Sequence, residues 1–581
     1  MAFPETLSQD QIDKYFPVKS DPPEGIFELG LVLGGTVSAG AYTGGVLDYL
    51  IEALDAWHRA KEKKDPEAPP HRVVLTTVGG TSGGAINGAI LLRAAGREFD
   101  HGPSPDNPFF DAWTGGVDLM KLLATDDGKS GFDSLLNTGA IERQVASTIK
   151  WEGGRELGER TSPKQRGYLG DPLRLFMMVG NVTGVPYRVP MISESGFAHD
   201  LVAHADYLRF ALPVPGGVVQ EPTTRPDELK LGSGADAHWR IVGEAALATS
   251  AFPLAFRGRD LERALEATGY RAFAIPGDDG SAIVQQLVPV WESLPLKKGD
   301  PTFAAFANVD GGTFNNEPLD VVRQAMNGMN GRNPRNPKEA RRAVILVDPF
   351  SDPETLSNPD SSRLTAMIGP LVSAMIQQPR FKPADLALAC SEEVYSRFLV
   401  APTRYGPNGK IVGKKAIASG GLGGFLGFLD SKLLVHDYML GRANAHSFVK
   451  RHLMLPEAAG NPLFDDPWWT EARKEKFGTR DSAGERYLPI IPLMDDLRDQ
   501  SPKLQAWPAP TPLPAGFEKA VEARLDAIYA KLTAQLAPKS WWQKAAMNAY
   551  LWIGWKAYGR SALRDIAVNA FKKGLKEQEL V

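Results

Sequence analysis

The chain has a single cysteine, Cys390, among 581 residues. An intrachain disulfide and a cysteine-built zinc cluster are therefore excluded. Its nine histidines show no H-E-x-x-H or comparable spacing, so no metal and no cofactor are expected. No uninterrupted apolar run reaches the roughly 18 residues that a membrane-spanning helix needs. The first residues, Met1-Ala2-Phe3-Pro4-Glu5-Thr6, carry neither a basic nor an apolar segment. That predicts no signal peptide and a cytoplasmic protein that meets membranes from one side at most. Charge is nearly balanced, 65 Lys and Arg against 69 Asp and Glu for a net −4, so there is no electrostatic footprint for nucleic acid. Internal repeats and low-complexity tracts are also missing, which excludes a repeat array.

Glycine is plentiful, 58 residues, and its placement carries the argument. Val73-Val74-Leu75-Thr76-Thr77-Val78 is β-branched and apolar, the pattern of a buried strand. Ala85 to Arg93 has the pattern of a helix apolar on nearly all sides. Between them lies Gly80-Thr81-Ser82-Gly83-Gly84, a G-x-S-x-G. A strand that turns sharply into a helix leaves no room for side chains beside the turn, and it pushes the serine hydroxyl out next to the positive end of the helix. Ser82 is the candidate nucleophile, with Gly80, Gly83 and Gly84 as the elbow glycines.

An earlier strand, Phe27 to Leu33, also breaks at a glycine-rich turn, Gly34-Gly35-Thr36-Val37-Ser38-Ala39-Gly40, and continues as a helix from Ala41. Such a turn aims several backbone N–H groups at one spot, which suits an anion. Neither G-x-G-x-x-G nor G-x-x-x-x-G-K-[ST] is present here, which argues against a nucleotide. The alternative is an oxyanion hole built from Gly34, Gly35, Thr36, Val37 and Gly40. A third stretch, Phe306 to Asp310 followed by Gly311 and Gly312, ends an apolar strand in an aspartate. Asp310 is free to point into a crevice where α/β active sites lie; taken alone, the stretch reads equally as an ordinary Asp-Gly turn.

Together these stretches resemble the patatin-like phospholipase family. The family pattern is a glycine-rich oxyanion turn leading to a Gly-Val-Leu helix, then G-x-S-x-G, then D-G-[GA]. All three occur in order, at Gly34 to Leu47, Gly80 to Gly84 and Asp310 to Gly312. The run from Asp310 to Pro318 is similar to the family's D-G-G-x-x-x-N-x-P, and Thr249-Ser250-Ala251-Phe252-Pro253 to the segment before its aspartate. The resemblance covers about residues 25–350. It implies a three-layer α/β/α fold with a central, mostly parallel sheet. It also implies a Ser-Asp dyad without histidine, Ser82 as nucleophile and Asp310 as base, acting on phospholipid or another acyl-ester lipid. Asp310 would have to be unusual, since a free Asp with pKa near 3.9 is a poor base for a hydroxyl. One departure is plain: Thr36 and Val37 stand where many members have glycines, and Ala39 where they have an arginine. Backbone donors survive that change; a fixed positive charge does not.

A histidine-dependent mechanism would follow the chain order Ser, Asp, His, and His436 and His446 follow Asp310. Both lie in a helical pattern with apolar and polar faces, which suits packing better. The divisions expected are an arm over 1–25, a catalytic domain over 26–350 with its last sheet strand at Arg342–Asp348, and a helical extension over 351–455. A proline-rich surface connection over 456–515 and a mainly helical region over 516–581 follow. Tyr187–Met191 is expected to pair beside a strand at 173–182, residues 150–170 to be solvent-exposed, and 364–377 to be helical. The glycine-rich, uncharged run from Ala416 to Leu429 is either backbone packed closely on the core or an acyl-chain groove or lid. After Pro538, aromatics at 541, 542, 550, 552, 555 and 558 accompany eight Lys and Arg against three acids. Peripheral membrane contact through 541–576 fits that composition; so does a helical hairpin packed on the core or on a second subunit. Two function classes remain: a lipid acyl hydrolase, with acyl transfer as a variant, and a non-catalytic lipid- or partner-binding scaffold.

Overall fold

In the computed structural model, the described residues are 14–129, 134–149, 163–189, 199–232, 237–268, 271–276, 282–328, 334–351, 394–407, 409–494, 496–536 and 559–581, with Ser8, Asp10, Met367, Ala374 and Trp555 as single positions. The helix expected at 364–377 and most of the aromatic stretch at 541–558 lie outside them.

The chain begins with β1 (Ile26–Leu33), α1 (Gly40–Glu62), β2 (Arg72–Thr81) and α2 (Gly83–Ala94). Then come α3 (Pro108–Thr114), α4 (Gly139–Ile149), the long β3 (Leu169–Val189), β4 (His199–Leu212) and α5 (Ala237–Thr249). They are followed by β5 (Arg259–Ala264), β6 (Asp300–Asp310), α6 (Leu319–Asn327), β7 (Arg342–Val347) and β8 (Arg397–Val400). The C-terminal half adds α7 (Ser431–Arg451), α8 (Phe517–Leu536) and α9 (Arg560–Glu577).

The central sheet runs β6-β3-β2-β1-β7-β8 through its middle. From β3 to β8 every neighbouring pair is parallel. β6 and β4 are antiparallel to β3, and β5 to β6. Alternation explains the layers. Leu29, Leu31, Leu33, Ala343, Ile345 and Val347 bury one face in the core that includes α1 and α2. Val32, Val344 and Leu346 turn to the opposite face and meet Leu319, Val322 and Met326 of α6. Helices therefore cover both faces, the three-layer α/β/α arrangement expected.

Several expectations are corrected. β7 is not the outermost parallel strand, because β8 pairs outside it over four residues, too few for a periodic signal. Tyr187 and Val189 do not start a separate strand: they continue β3, whose partner is β4, Tyr187 facing Leu201. Arg166 and Tyr168 are buried rather than solvated, both bonded to the Asp55 carboxylate. The stretch 456–515 does not simply cross the surface. Leu488, Ile490, Ile491, Leu493 and Met494 join the main core, and Arg486–Pro489 forms a small antiparallel sheet with Met454–Pro456 and Thr479–Arg480.

α7 packs directly on α1, and two glycines permit it. A side chain at Gly45 would lie 2.0 Å from the Tyr438 carbonyl, and one at Gly441 would lie 2.1 Å from that of Tyr42. Among the described residues no helix is long and apolar enough to cross a membrane.

Candidate active site

β2 and β6 approach the same point on β3 from opposite directions. Thr81, the last residue of β2, stands opposite Met178, while Asp310, the last of β6, stands opposite Val179. The ends of two strands that run in opposite directions thus meet over adjacent residues of β3, which brings Ser82 and Asp310 together although 228 positions separate them.

Ser82 sits at φ +51° and ψ −128°. An L-residue with positive φ is strained, and such strain persists only where the surroundings hold it. Here the Ser82 N–H donates to the Thr249 hydroxyl at 2.9 Å, from the end of α5. The Thr81 hydroxyl donates to the Asn315 carbonyl at 2.9 Å. Glycine is required at the two positions that follow. A side chain at Gly83 would lie 2.2 Å from the Thr36 hydroxyl oxygen, and one at Gly84 would lie 2.3 Å from the Leu33 carbonyl. The elbow is pressed directly against the end of β1 and its turn.

The Ser82 hydroxyl lies close enough to the Asp310 carboxyl to favour its charged form. Asp310 is further held by two backbone bonds: its Oδ1 accepts from Gly312 N–H at 2.7 Å, and its own N–H donates to the Ala251 carbonyl at 2.9 Å. Burial pushes the Asp310 pKa up to about 7, against the lowering effect of the Gly312 and Ser82 hydrogen bonds. Desolvation wins because neither donor carries a charge.

The five residues of the first glycine-rich turn do not stand alike. The Gly34 N–H donates to the Val347 carbonyl at 3.0 Å, and the Gly40 N–H points back to the carbonyls of Val37 and Ser38. Both are spent on the fold. Gly35 lies against the site: a side chain there would be 3.6 Å from the Ser82 β-carbon and 2.4 Å from Asn316 Oδ1. Val37 adopts φ +47° and lines the same cavity as Ser82, Gly83 and Asp310.

That cavity measures about 750 Å³ to its open mouth. Ile86, Trp113, Ile141, Val145, Phe252 and Phe428 supply much of its wall. No lysine, arginine or histidine lines it among the described residues. His436 instead pairs with Asp437 at 2.9 Å, and His446 with the Leu497 carbonyl at 3.2 Å.

Three contributors were not legible as site residues. α4 forms one wall, and its stripe Ile141, Val145, Thr148 and Ile149 does carry a helical spacing. Thr249 belongs to a segment recognised by resemblance, but its bond to Ser82 exists only in three dimensions. Phe428 comes from the distant glycine-rich run. No group of His, Cys, Asp or Glu able to hold a metal is present among the described residues.

Residues 31–323 match the sequence model of the patatin-like phospholipase family. The chain is also similar to the uncharacterized protein y4iI of Sinorhizobium fredii, with 30% identity over 578 residues that cover 92% of this chain and 80% of that protein.

Proposed function

Because the chain belongs to the patatin-like phospholipase family, we propose that it is a lipid acyl hydrolase in which Ser82 is the nucleophile and Asp310 the general base. The observation that carries this reading is the Ser82 hydroxyl beside a desolvated Asp310 carboxyl, both lining one apolar cavity. A carboxylate with pKa near neutrality matches a base working near pH 7.

Ser82 Oγ attacks the acyl carbonyl and its proton passes to Asp310 Oδ. The tetrahedral oxyanion is held by backbone amides of the Gly35-Thr36-Val37 turn. The intermediate collapses, the alcohol leaves with the proton from Asp310, and an acyl-serine remains. Asp310 then takes a proton from water, whose oxygen attacks the acyl-serine, and returns that proton to Ser82 Oγ as the intermediate collapses and frees the fatty acid. The apolar cavity suits an acyl chain, and with no cation lining it among the described residues an anionic head group is left outside.

Hydrolysis of a short-chain p-nitrophenyl ester and of micellar phospholipid tests this. Wild type turns over and Ser82→Ala, folded by circular dichroism, loses about 10³-fold or more in kcat. A folded wild type idle on both substrates overturns the hydrolase reading in favour of a lipid-binding scaffold.

Thr249→Val tests the elbow. It strands the buried Ser82 N–H, so stability falls by about 1–3 kcal/mol. Turnover falls with it, because the strained φ at Ser82 loses its holder. Urea unfolding and initial rates on the soluble ester check the two effects; Thr249→Ser retains both.

A further inference from the structure

The turn proposed to hold the oxyanion contains a β-branched residue, Val37, at φ +47°. That conformation is unfavourable on its own. Its support comes from residues 420–429, beyond the family-matched segment 31–323.

The Ser38 hydroxyl donates a short hydrogen bond to the Gly424 carbonyl. A side chain at Gly424 would lie 3.0 Å from the Thr36 carbonyl and 3.2 Å from the Val37 β-carbon, and one at Gly427 would lie 2.3 Å from Ser38 Oγ. The segment therefore lies directly against Thr36, Val37 and Ser38 of the turn. Three successive residues, Leu422, Gly423 and Gly424, have φ of 53°, 61° and 92°, a path that costs energy at Leu422 and folds the segment over the turn. The segment is anchored from behind. The Asp437 carboxylate accepts from the N–H groups of Ala418 and Ser419 at 2.6 and 2.9 Å. A side chain at Gly421 would lie 3.1 Å from the carbonyl of Gly574 in α9, and one at Gly574 would lie 3.1 Å from Leu422 Cγ.

We propose that residues 420–429 are a clamp that holds the 34–40 turn in its anion-binding shape, with Ser38 and Gly424 as positioning residues. The inference rests on the esterase reading above for its catalytic consequence, not for the clamp itself. It gives the C-terminal half a role in the reaction: α9 backs the clamp, and the clamp backs the turn.

Two measurements on the full chain test it. In Ser38→Ala, amide hydrogen exchange over 34–40 is expected to quicken about tenfold or more while exchange over α2 stays at the wild-type rate. On a soluble ester, kcat falls about tenfold with KM unchanged, since the turn's amides engage the developing oxyanion and not the bound acyl chain. Gly424→Ala, which pushes a methyl onto Thr36 and Val37, moves both readouts the same way. Wild-type exchange over 34–40 in folded Ser38→Ala overturns the clamp. So does faster exchange with an unaltered kcat, which leaves a contact without catalytic effect. A wild type with no ester turnover overturns the esterase reading, and faster exchange in Ser38→Ala then still identifies the clamp.

Discussion

Asp310→Asn is expected to abolish ester turnover and, in the same molecule, to make the fold harder to unfold above neutral pH. The loss of activity follows from the loss of the proton acceptor, worth about 10²- to 10⁴-fold by itself. The gain in stability follows from linkage. The unfolded chain releases the Asp310 proton near pH 3.9, while the folded chain holds it until about pH 7. Below both values the two states bind the same proton, and Asp310 contributes no pH dependence. Between them the folded state binds more protons, so stability falls as pH rises, by up to about 4 kcal/mol in all, and stays reduced above pH 7. Asparagine does not titrate. The variant therefore matches wild type most closely at pH 4 and exceeds it most at pH 8. Urea midpoints at those two pH values check this, and equal midpoints at pH 8 count against a desolvated carboxylate. The same titration sets the rate: kcat/KM of wild type climbs about tenfold per pH unit below 7 and levels off above it.

The second large effect is structural. Asp48 on α1 is wholly buried and accepts from five donors. These are His101 Nδ1 at 2.7 Å, Gly102 N–H at 3.0 Å, Asn107 Nδ2 at 2.9 Å, the Tyr438 hydroxyl at 2.7 Å and Arg442 Nη1. Burial alone drives the Asp48 pKa up, but the His101 hydrogen bond and the Arg442 charge outweigh it and hold it below the usual range. Burial likewise drives His101 down, and its bonds to Asp48 and Asp55 reverse that, raising it to about 9. At neutral pH, then, one carboxylate faces two cations inside the protein. Asp48→Asn removes the carboxylate they share, leaving Arg442 with Glu52 and His101 with the more distant Asp55, and is expected to cost about 3 kcal/mol in urea unfolding. The wild-type contribution is present above the unfolded carboxylate's pKa and fades as pH falls through the lower folded value. Tyr438 and Arg442 belong to α7, so the network joins the helix behind the glycine-rich turn to the C-terminal half. Removing a partner there loosens the α1–α7 pair, whose close approach depends on Gly45 and Gly441.

Much of the frame was readable from local pattern. The β1 and β2 runs, the two glycine-rich turns, Ser82 and Asp310 each carry a short-range signature. Turn sterics act between neighbours, so Gly80 to Gly84 announce an elbow without help from the rest of the chain. β8 was not readable because four residues hold no period. The Tyr187–Val189 stretch was misread because a 21-residue strand is far longer than the usual run of five or six. Residues 488–494 looked like a surface connection because their prolines and acids outvoted a short apolar run that the core then buried.

The sequence by itself determined which residues are candidates for chemistry and the local backbone that displays them, since both depend on residue type and nearest neighbours. Only the tertiary structure decided that β6 runs against β3 and so delivers Asp310 to Ser82. It alone set the Asp310 pKa, which is a property of the surrounding dielectric and not of the side chain. It alone placed Gly424 on Ser38 and Arg442 on Asp48, pairs 386 and 394 positions apart. Contacts at such separation leave no periodicity in the chain; they exist because burying the apolar faces of α1, α7 and the sheet leaves those backbones no other place to lie.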